Sequence, residues 1–507
     1  MKDDRFVVPR RERRARPVRR TGRTARLGGC ALVTWALAGC GPSSSPSSLP
    51  VGDAPTAATA PDGSYISWRE HLIDEESTAG VELRGSDGLV MADLDLDGHL
   101  DVVSVHESDT EYDGEADGVI RIAFGSGDPD VWRSVTLAQG PEAGAPEDVA
   151  VGDVNGDGYL DIVAACELAH LIYFQNPGAG AATERWERLI PEVTTGRGSF
   201  IRVFLADLTG DGRPEVVTPN KGAQNPTLEM GPKPISWFSI EGDPLLSRSW
   251  VEHELTQVPW PINSRPVDLD GDGDLDVVAG STTEQRVMWF ENAGGGDFHE
   301  HPIEIPEVSV PDERRRARDP EGRAAVNGFN LDFTDLSGDG RLDIVLVESG
   351  HTLVWIEQPA DPAAPWRLRR IGTHWPDAAT GFVAEDIDGD GDADVLAGGY
   401  SQGPRDADAD LDAMSSSGRI AWFENPGDGR GSWIRHDISR RRRGMFDKFV
   451  PRDMDGDGDV DFVATRGNSA PFDGVFWLEQ VRSDEPRASF ERARALDSPE
   501  LPLPPGA

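Results

Sequence analysis

The chain has 507 residues with 37% hydrophobic content, enough for a large core, and its 57 Gly and 38 Pro favour many short strands joined by turns over long helices. Its formal charge is −41, and residues 1 to 39 carry eleven Lys/Arg against three Asp/Glu, a surplus of eight that leaves the rest at −49. A body so acidic repels nucleic acid and anionic lipid, which excludes both as expected partners.

Residues 1 to 26 are rich in Arg, and Leu27 to Gly39 form a short apolar run. A basic stretch, an apolar stretch too short to span a bilayer, and small residues before Cys40 make residues 1–39 a secretory signal. Leu37-Ala38-Gly39-Cys40 resembles the lipobox of bacterial lipoproteins, and by that resemblance Cys40 carries the lipid. Residues 40–64 hold Pro, Ser, Ala and Thr with almost no large apolar side chain, which reads as a flexible tether. Of the other cysteines, Cys30 lies in the signal and Cys166 follows an apolar run, so the mature body has no intrachain disulfide and Cys166 reads as a buried, inert thiol.

A nine-residue pattern then recurs seven times between residues 65 and 482. Its first position is Asp93, Asp153, Asp207, Asp268, Asp335, Asp386 and Asp453. The third is Asp95, Asn155, Thr209, Asp270, Ser337, Asp388 and Asp455, and the fifth is Asp97, Asp157, Asp211, Asp272, Asp339, Asp390 and Asp457. Glycine always holds the sixth, and the ninth is Asp101, Asp161, Glu215, Asp276, Asp343, Asp394 and Asp461. Calcium takes six to eight oxygens, and alternate side chains of a tight loop can converge on one point, so up to seven Ca²⁺ sites are expected. Loops three and five, with Thr209 and Ser337, carry less charge and should bind most weakly. An EF-hand is disfavoured, because the residues after each loop, such as Phe462-Val463-Ala464, read as strand.

Around each loop one strand leads in and a second leaves. A third carries an aromatic pair, as in Tyr173-Phe174, Trp289-Phe290 and Trp422-Phe423. A fourth opens on Trp132, Trp186, Trp250, Phe298, Trp366 or Trp433. Four strands in seven repeats predict an all-β, seven-bladed propeller of antiparallel blades. The fourth-strand signature also occurs before the first loop, at Ser67 to Ile73, whereas only a third strand, Val475 to Glu479, follows the last. Residues 66 to 73 should therefore supply the outer strand of the last blade, removing a free edge. Phe490 to Arg494 is a weaker rival for that role, and residues 483–507 read as a loosely held tail.

These repeats resemble the FG-GAP and VCBS families, whose best-known relatives are the N-terminal propellers of integrin α subunits. The resemblance implies metal loops on a lower face and partners on the upper one, although no full Phe-Gly…Gly-Ala-Pro cage motif is present, so integrin ligand specificity does not carry over. Long insertions fall where the upper face is expected: His106 to Gly118, Pro219 to Pro234, Ile305 to Phe329 and Ser401 to Gly418. Within the last, Asp406 to Asp412 alternates carboxylates without the loop glycine and reads as a solvated acidic segment. Arg314 to Arg316 and Arg440 to Arg443 read as surface basic islands.

The leading expectation is a monomeric, lipid-anchored calcium-binding propeller of the bacterial envelope, periplasmic or surface-facing, that binds a protein or polysaccharide and meets the membrane only through Cys40. One alternative is a calcium-dependent carbohydrate lyase or dehydratase, with His106, His170, His351 and His374 as candidate bases. His71, His253, His301 and His436 recur in the fourth strands and read as structural. The other alternative is a structural envelope protein without a dedicated ligand.

Overall fold

The computed structural model of the chain describes residues 49–505 except 109–113, 115, 183–184, 285, 307–325, 327, 402 and 409. The signal, Cys40 and the Arg314 to Arg316 island lie outside the described residues.

Strand β1 (Tyr65–Glu75) comes first and leads into blade one, formed by β2 (Ser86–Ala92), β3 (Asp101–His106), β4 (Val119–Phe124) and β5 (Arg133–Gln139). Blade two is β6 (Pro146–Gly152), β7 (Asp161–Cys166), β8 (Leu171–Gln175) and β9 (Glu187–Leu189). Blade three is β10 (Phe204–Ala206), β11 (Glu215–Pro219), β12 (Lys233–Ile240) and β13 (Trp250–Val258). Blade four is β14 (Pro261–Val267), β15 (Asp276–Ser281), β16 (Arg286–Asn292) and β17 (Phe298–Pro302). Blade five is β18 (Asp332–Thr334), β19 (Asp343–Glu348), β20 (Thr352–Glu357) and β21 (Arg367–Thr373). Blade six is β22 (Ala378–Glu385), β23 (Asp394–Tyr400), β24 (Gly418–Glu424) and β25 (Ile434–Arg441). The last sheet orders β26 (Phe449–Arg452), β27 (Asp461–Arg466) and β28 (Gly474–Ser483) with β1 and β29 (Phe490–Glu491).

Central strands such as β7, β15 and β27 are buried along their whole length. That is why they read as unbroken apolar runs: neighbouring residues face opposite blade interfaces, and both interfaces are dry. Ile162 and Ala164 pack toward blade one, whereas Val163 and Ala165 pack toward blade three. Seven hydrophobic clusters fill the seven junctions, and the one made by Ile73, Val463, Val475 and Trp477 with Leu89, Val102 and Ala123 joins blade seven to blade one and closes the ring. The aromatics at the fourth strands also lock the hairpins: the indole N–H groups of Trp132, Trp186, Trp250, Trp366 and Trp433 donate to loop carbonyls at 2.7 to 3.0 Å.

The closing strand forms as expected. β1 pairs antiparallel with β28, matching His71 to Trp477 and Trp68 to Gln480. The rival segment does not compete with it but adds outside it, β29 lying parallel to β1 with Trp68 opposite Phe490.

Three expectations are corrected. The tail is not loose: Phe490, Asp497, Ser498, Glu500 and Leu501 are buried. The described part of the tether is not free either, since Val51 donates to Leu501 at 3.0 Å, Thr56 to Arg487 at 2.8 Å, and Ala58 and Ala60 are buried. Each segment alone is too polar and small to order, but pairing gives each backbone a partner and covers the edge of the last sheet. Nor are Arg440, Arg441 and Arg443 a surface island. They are buried, paired with Asp377, Glu70 and Asp408 at 2.7 to 2.9 Å. Asp408, from the segment expected to be solvated, is thereby committed to the fold.

Candidate functional site

Each acidic loop joins the first and second strands of its blade, and its shape is set by its own carboxylates. In all seven the first-position Asp accepts the amide of the sixth-position Gly at 2.7 to 3.2 Å. The fifth-position Asp accepts the amide two residues on at 2.8 to 3.2 Å. The sixth-position glycines all sit at φ between 86° and 102°, where a side chain is disfavoured.

The ninth-position carboxylate does more than close the loop. One oxygen accepts an amide from position two or three, as Asp101 does from Leu94 at 2.8 Å. In six blades the other accepts an amide at the end of the third strand, as Asp276 does from Asn292 at 2.8 Å. These groups are buried, and burial raises Asp101, Asp161 and Asp276 to about 6, Asp343 and Asp461 to about 7, and Asp394 to about 8, with the loop's other carboxylates adding to the effect.

In four loops three carboxylate oxygens lie within 4.8 Å of one another: Asp93, Asp95 and Asp101; Asp268, Asp270 and Asp272; Asp386, Asp388 and Asp394; Asp453, Asp455 and Asp461. Asp95 Oδ1 is buried without a hydrogen-bond partner among the described residues. Crowded carboxylates, one of them unpartnered, are a fitting cage for a hard cation. Loops two, three and five, with Asn155, Thr209 and Ser337 at position three, form no such triad among the described residues. There Thr209 Oγ donates to Glu215 and Ser337 Oγ to Asp335, at 3.1 and 3.3 Å.

One recurrent residue escaped the sequence reading. The amide side chain after the third strand's aromatic pair crosses to the preceding blade and donates to a loop carbonyl: Asn176 to Leu94, Asn292 to Leu208, Gln358 to Leu269 and Gln480 to Ile387, each at 2.8 to 2.9 Å. The signal was the Asn or Gln just past the aromatic residues of the third strand in these four blades.

Antiparallel pairing puts the loops between strands two and three, and between blades, on the face opposite the acidic loops. The four candidate histidines are at that end but do not converge. His106 and His374 are fully buried, and burial lowers His106 to about 3 and His374 well below the usual range. His170 bonds the Glu142 carbonyl at 2.7 Å, and His351 lies edge-on to Trp375. His71, His253, His301 and His436 pack on Trp477, Trp237, Trp289 and Trp422, as their repeat suggested. On the axis itself Arg202 of blade three bonds Asp447, ahead of blade seven, at 2.8 Å and Asn330, ahead of blade five, at 3.2 Å. Three non-adjacent blades meet there, so the guanidinium plugs the centre. Cys166 is buried, its thiol pushed up to about 12.

With this geometry in place, the FG-GAP-like repeat family matches residues 93–164 and 335–397, which contain loops one, two, five and six. The chain is a seven-bladed propeller carrying FG-GAP-like repeats. No curated protein matches it. Among solved structures it is similar to a chain of the crystal structure of BBS1N in complex with ARL6DN, soaked with lead, at 10% identity and a TM-score of 0.42, covering 83% of this chain and 98% of that one. The mercury-soaked form of the same complex matches at 10% identity and 0.42, covering 82% and 97%.

Proposed function

We propose that this FG-GAP-repeat propeller is a non-catalytic binding module: calcium in the lower loops stiffens the disc, and the upper face takes a protein or, as the second class, a polysaccharide. The reading includes attachment to a bacterial envelope through lipid on Cys40.

The observation that carries it is that loops of the elaborated face expose large apolar side chains. Trp375, between blades five and six, is 40% exposed, and Met414, in the Ser401 to Gly418 loop, is 50% exposed. Ser416 accepts from the Ala378 amide at 3.2 Å, which ties the two loops together. Leu496, in the returning tail, is 84% exposed. Exposed aromatic and apolar side chains on loops of a stiff scaffold suit protein recognition. The lyase or dehydratase reading would need a base free to take a proton, and His106 and His374 are sealed from solvent.

The test is capture of envelope proteins and polysaccharides by the isolated body, wild type against Trp375→Ala with Met414→Ala. We expect the double variant to lose at least tenfold in retained partner while keeping its melting temperature. Equal retention by both would refute the assignment of this face.

A further inference from the structure

Blades one and two bring together carboxylates that the repeat chemistry does not use. Glu107 and Glu167 hold the same place in consecutive blades. Each follows the second strand and donates its amide to the residue ahead of the first strand, Glu107 to Gly85 at 2.9 Å and Glu167 to Ala145 at 2.7 Å. Glu147 joins them from the start of β6. One oxygen from each of the three lies within 4.8 Å of the others. At the matching place blade three has Lys221 and blade four Thr282, bonded back to Ser199 and Trp260. The acidic group is therefore particular to the first two blades.

A second observation is separate from that cluster. Asp87 in β2 is 4% exposed, and its Oδ2 has no hydrogen-bond partner among the described residues. It stands two residues past Gly85, as Glu147 stands two past Ala145, and Glu147 and Glu107 are the charges it feels most strongly. Oε2 of Glu167, 2% exposed, is also without a partner there, although Lys221 pairs with the other oxygen. Arg405 reaches over from blade six to Glu107 at 3.1 Å.

Among the described residues, Arg405 pairs with Glu107 and Lys221 with Glu167, whereas no cation pairs with Glu147 or Asp87. Buried carboxylate oxygens without a donor or cation are costly. Two oxygens sharing one calcium-sized ion lie at most about 5.2 Å apart, which the observed spacing satisfies.

We propose that Glu107, Glu147 and Glu167, with Asp87 beside them, bind one hard divalent cation on the upper face, apart from the seven loops.

The test is equilibrium dialysis of the full chain against Mn²⁺, with bound metal counted by atomic absorption. Wild type is expected to hold one more Mn²⁺ per chain than Glu147→Gln or Asp87→Asn, each variant folding with an unchanged circular dichroism spectrum. Lys221→Gln, which frees Glu167, should bind that ion at least tenfold more tightly. Equal counts in wild type and both carboxylate variants would overturn the proposal. So would equal counts accompanied by an oligolysine peptide that binds wild type and not Glu147→Gln, which would give the site to a basic partner instead. The loop reading is tested separately by Asp453→Asn, whose lost ion does not depend on Glu147.

Discussion

Leu96 occupies the fourth position of the first acidic loop at φ 59°, where the other six loops have glycine at 71° to 84°. A left-handed backbone strains an L side chain by about 1 to 2 kcal/mol, and glycine gives back part of that through its larger unfolded-state entropy. Leu96 is 57% exposed, so removing its side chain forfeits little packing. Leu96→Gly should therefore stabilise the protein by about 0.5 to 1 kcal/mol in urea denaturation. A loss of stability would mean that Leu96 is held by contacts outweighing its backbone strain. The sixth-position glycine was legible from spacing, and glycine at position four in six of the seven loops carries the same signal, to which Leu96 is the exception.

The acidic hairpins are two-part devices. The ninth-position carboxylate pins the loop to the third strand by hydrogen bonds that need no metal, and in four loops three carboxylates crowd to within 4.8 Å of one another, as a cation cage requires. Calcium bound only to the folded hairpin would add about 2.7 kcal/mol per site when present at a hundred times its Kd. Excess EDTA is expected to lower the melting temperature by several degrees. Asp453→Asn should remove more of the calcium-dependent shift than Asp335→Asn, because the seventh loop has a carboxylate triad and the fifth has Ser337. Identical melts with and without chelator would show the loops to be closed by hydrogen bonds alone. The alternation of oxygens and the glycine make the loop readable from one repeat, since they lie within nine residues, whereas the third-strand amides that the ninth-position carboxylate accepts lie 15 to 31 residues on. The amide that staples four of the blades to the preceding one was less readable, because its acceptor lies more than 80 residues away.

Ring closure depends on both ends of the chain. Arg441, at the end of blade six, meets Glu70 of the closing strand at 2.7 Å and Asp497 of the returning tail at 3.5 Å, and Asp497 also takes Arg466 of blade seven at 2.7 Å. Burial opposes ionisation of Asp497, but Arg466 and Arg441 overcome it and hold its carboxyl well below the usual carboxylate range. A depressed acid stabilises the fold fully above its unfolded pKa, near ~3.9, and loses that contribution as pH falls toward the folded value. Asp497→Asn leaves buried guanidinium charge uncompensated and should cost about 3 to 5 kcal/mol at pH 7. The difference from wild type should narrow as pH drops below about 4. A pH-independent difference would mean that the carboxylate acts by shape rather than charge.

Sequence alone determined the number of blades, their strand order, the acidic cages and the pairing of Ser67 to Ile73 with the last third strand. Each of these is either local or repeated, so a single chain carries several copies of the evidence. Only the tertiary structure decided that the tail and the Pro/Ser-rich segment pair with each other, that Arg440 to Arg443 turn inward, and that Glu107, Glu147 and Glu167 converge. Those features occur once, between residues as much as 448 apart in the case of Gly52 and Glu500, and no local pattern marks an arginine as buried until its carboxylate partner is in position.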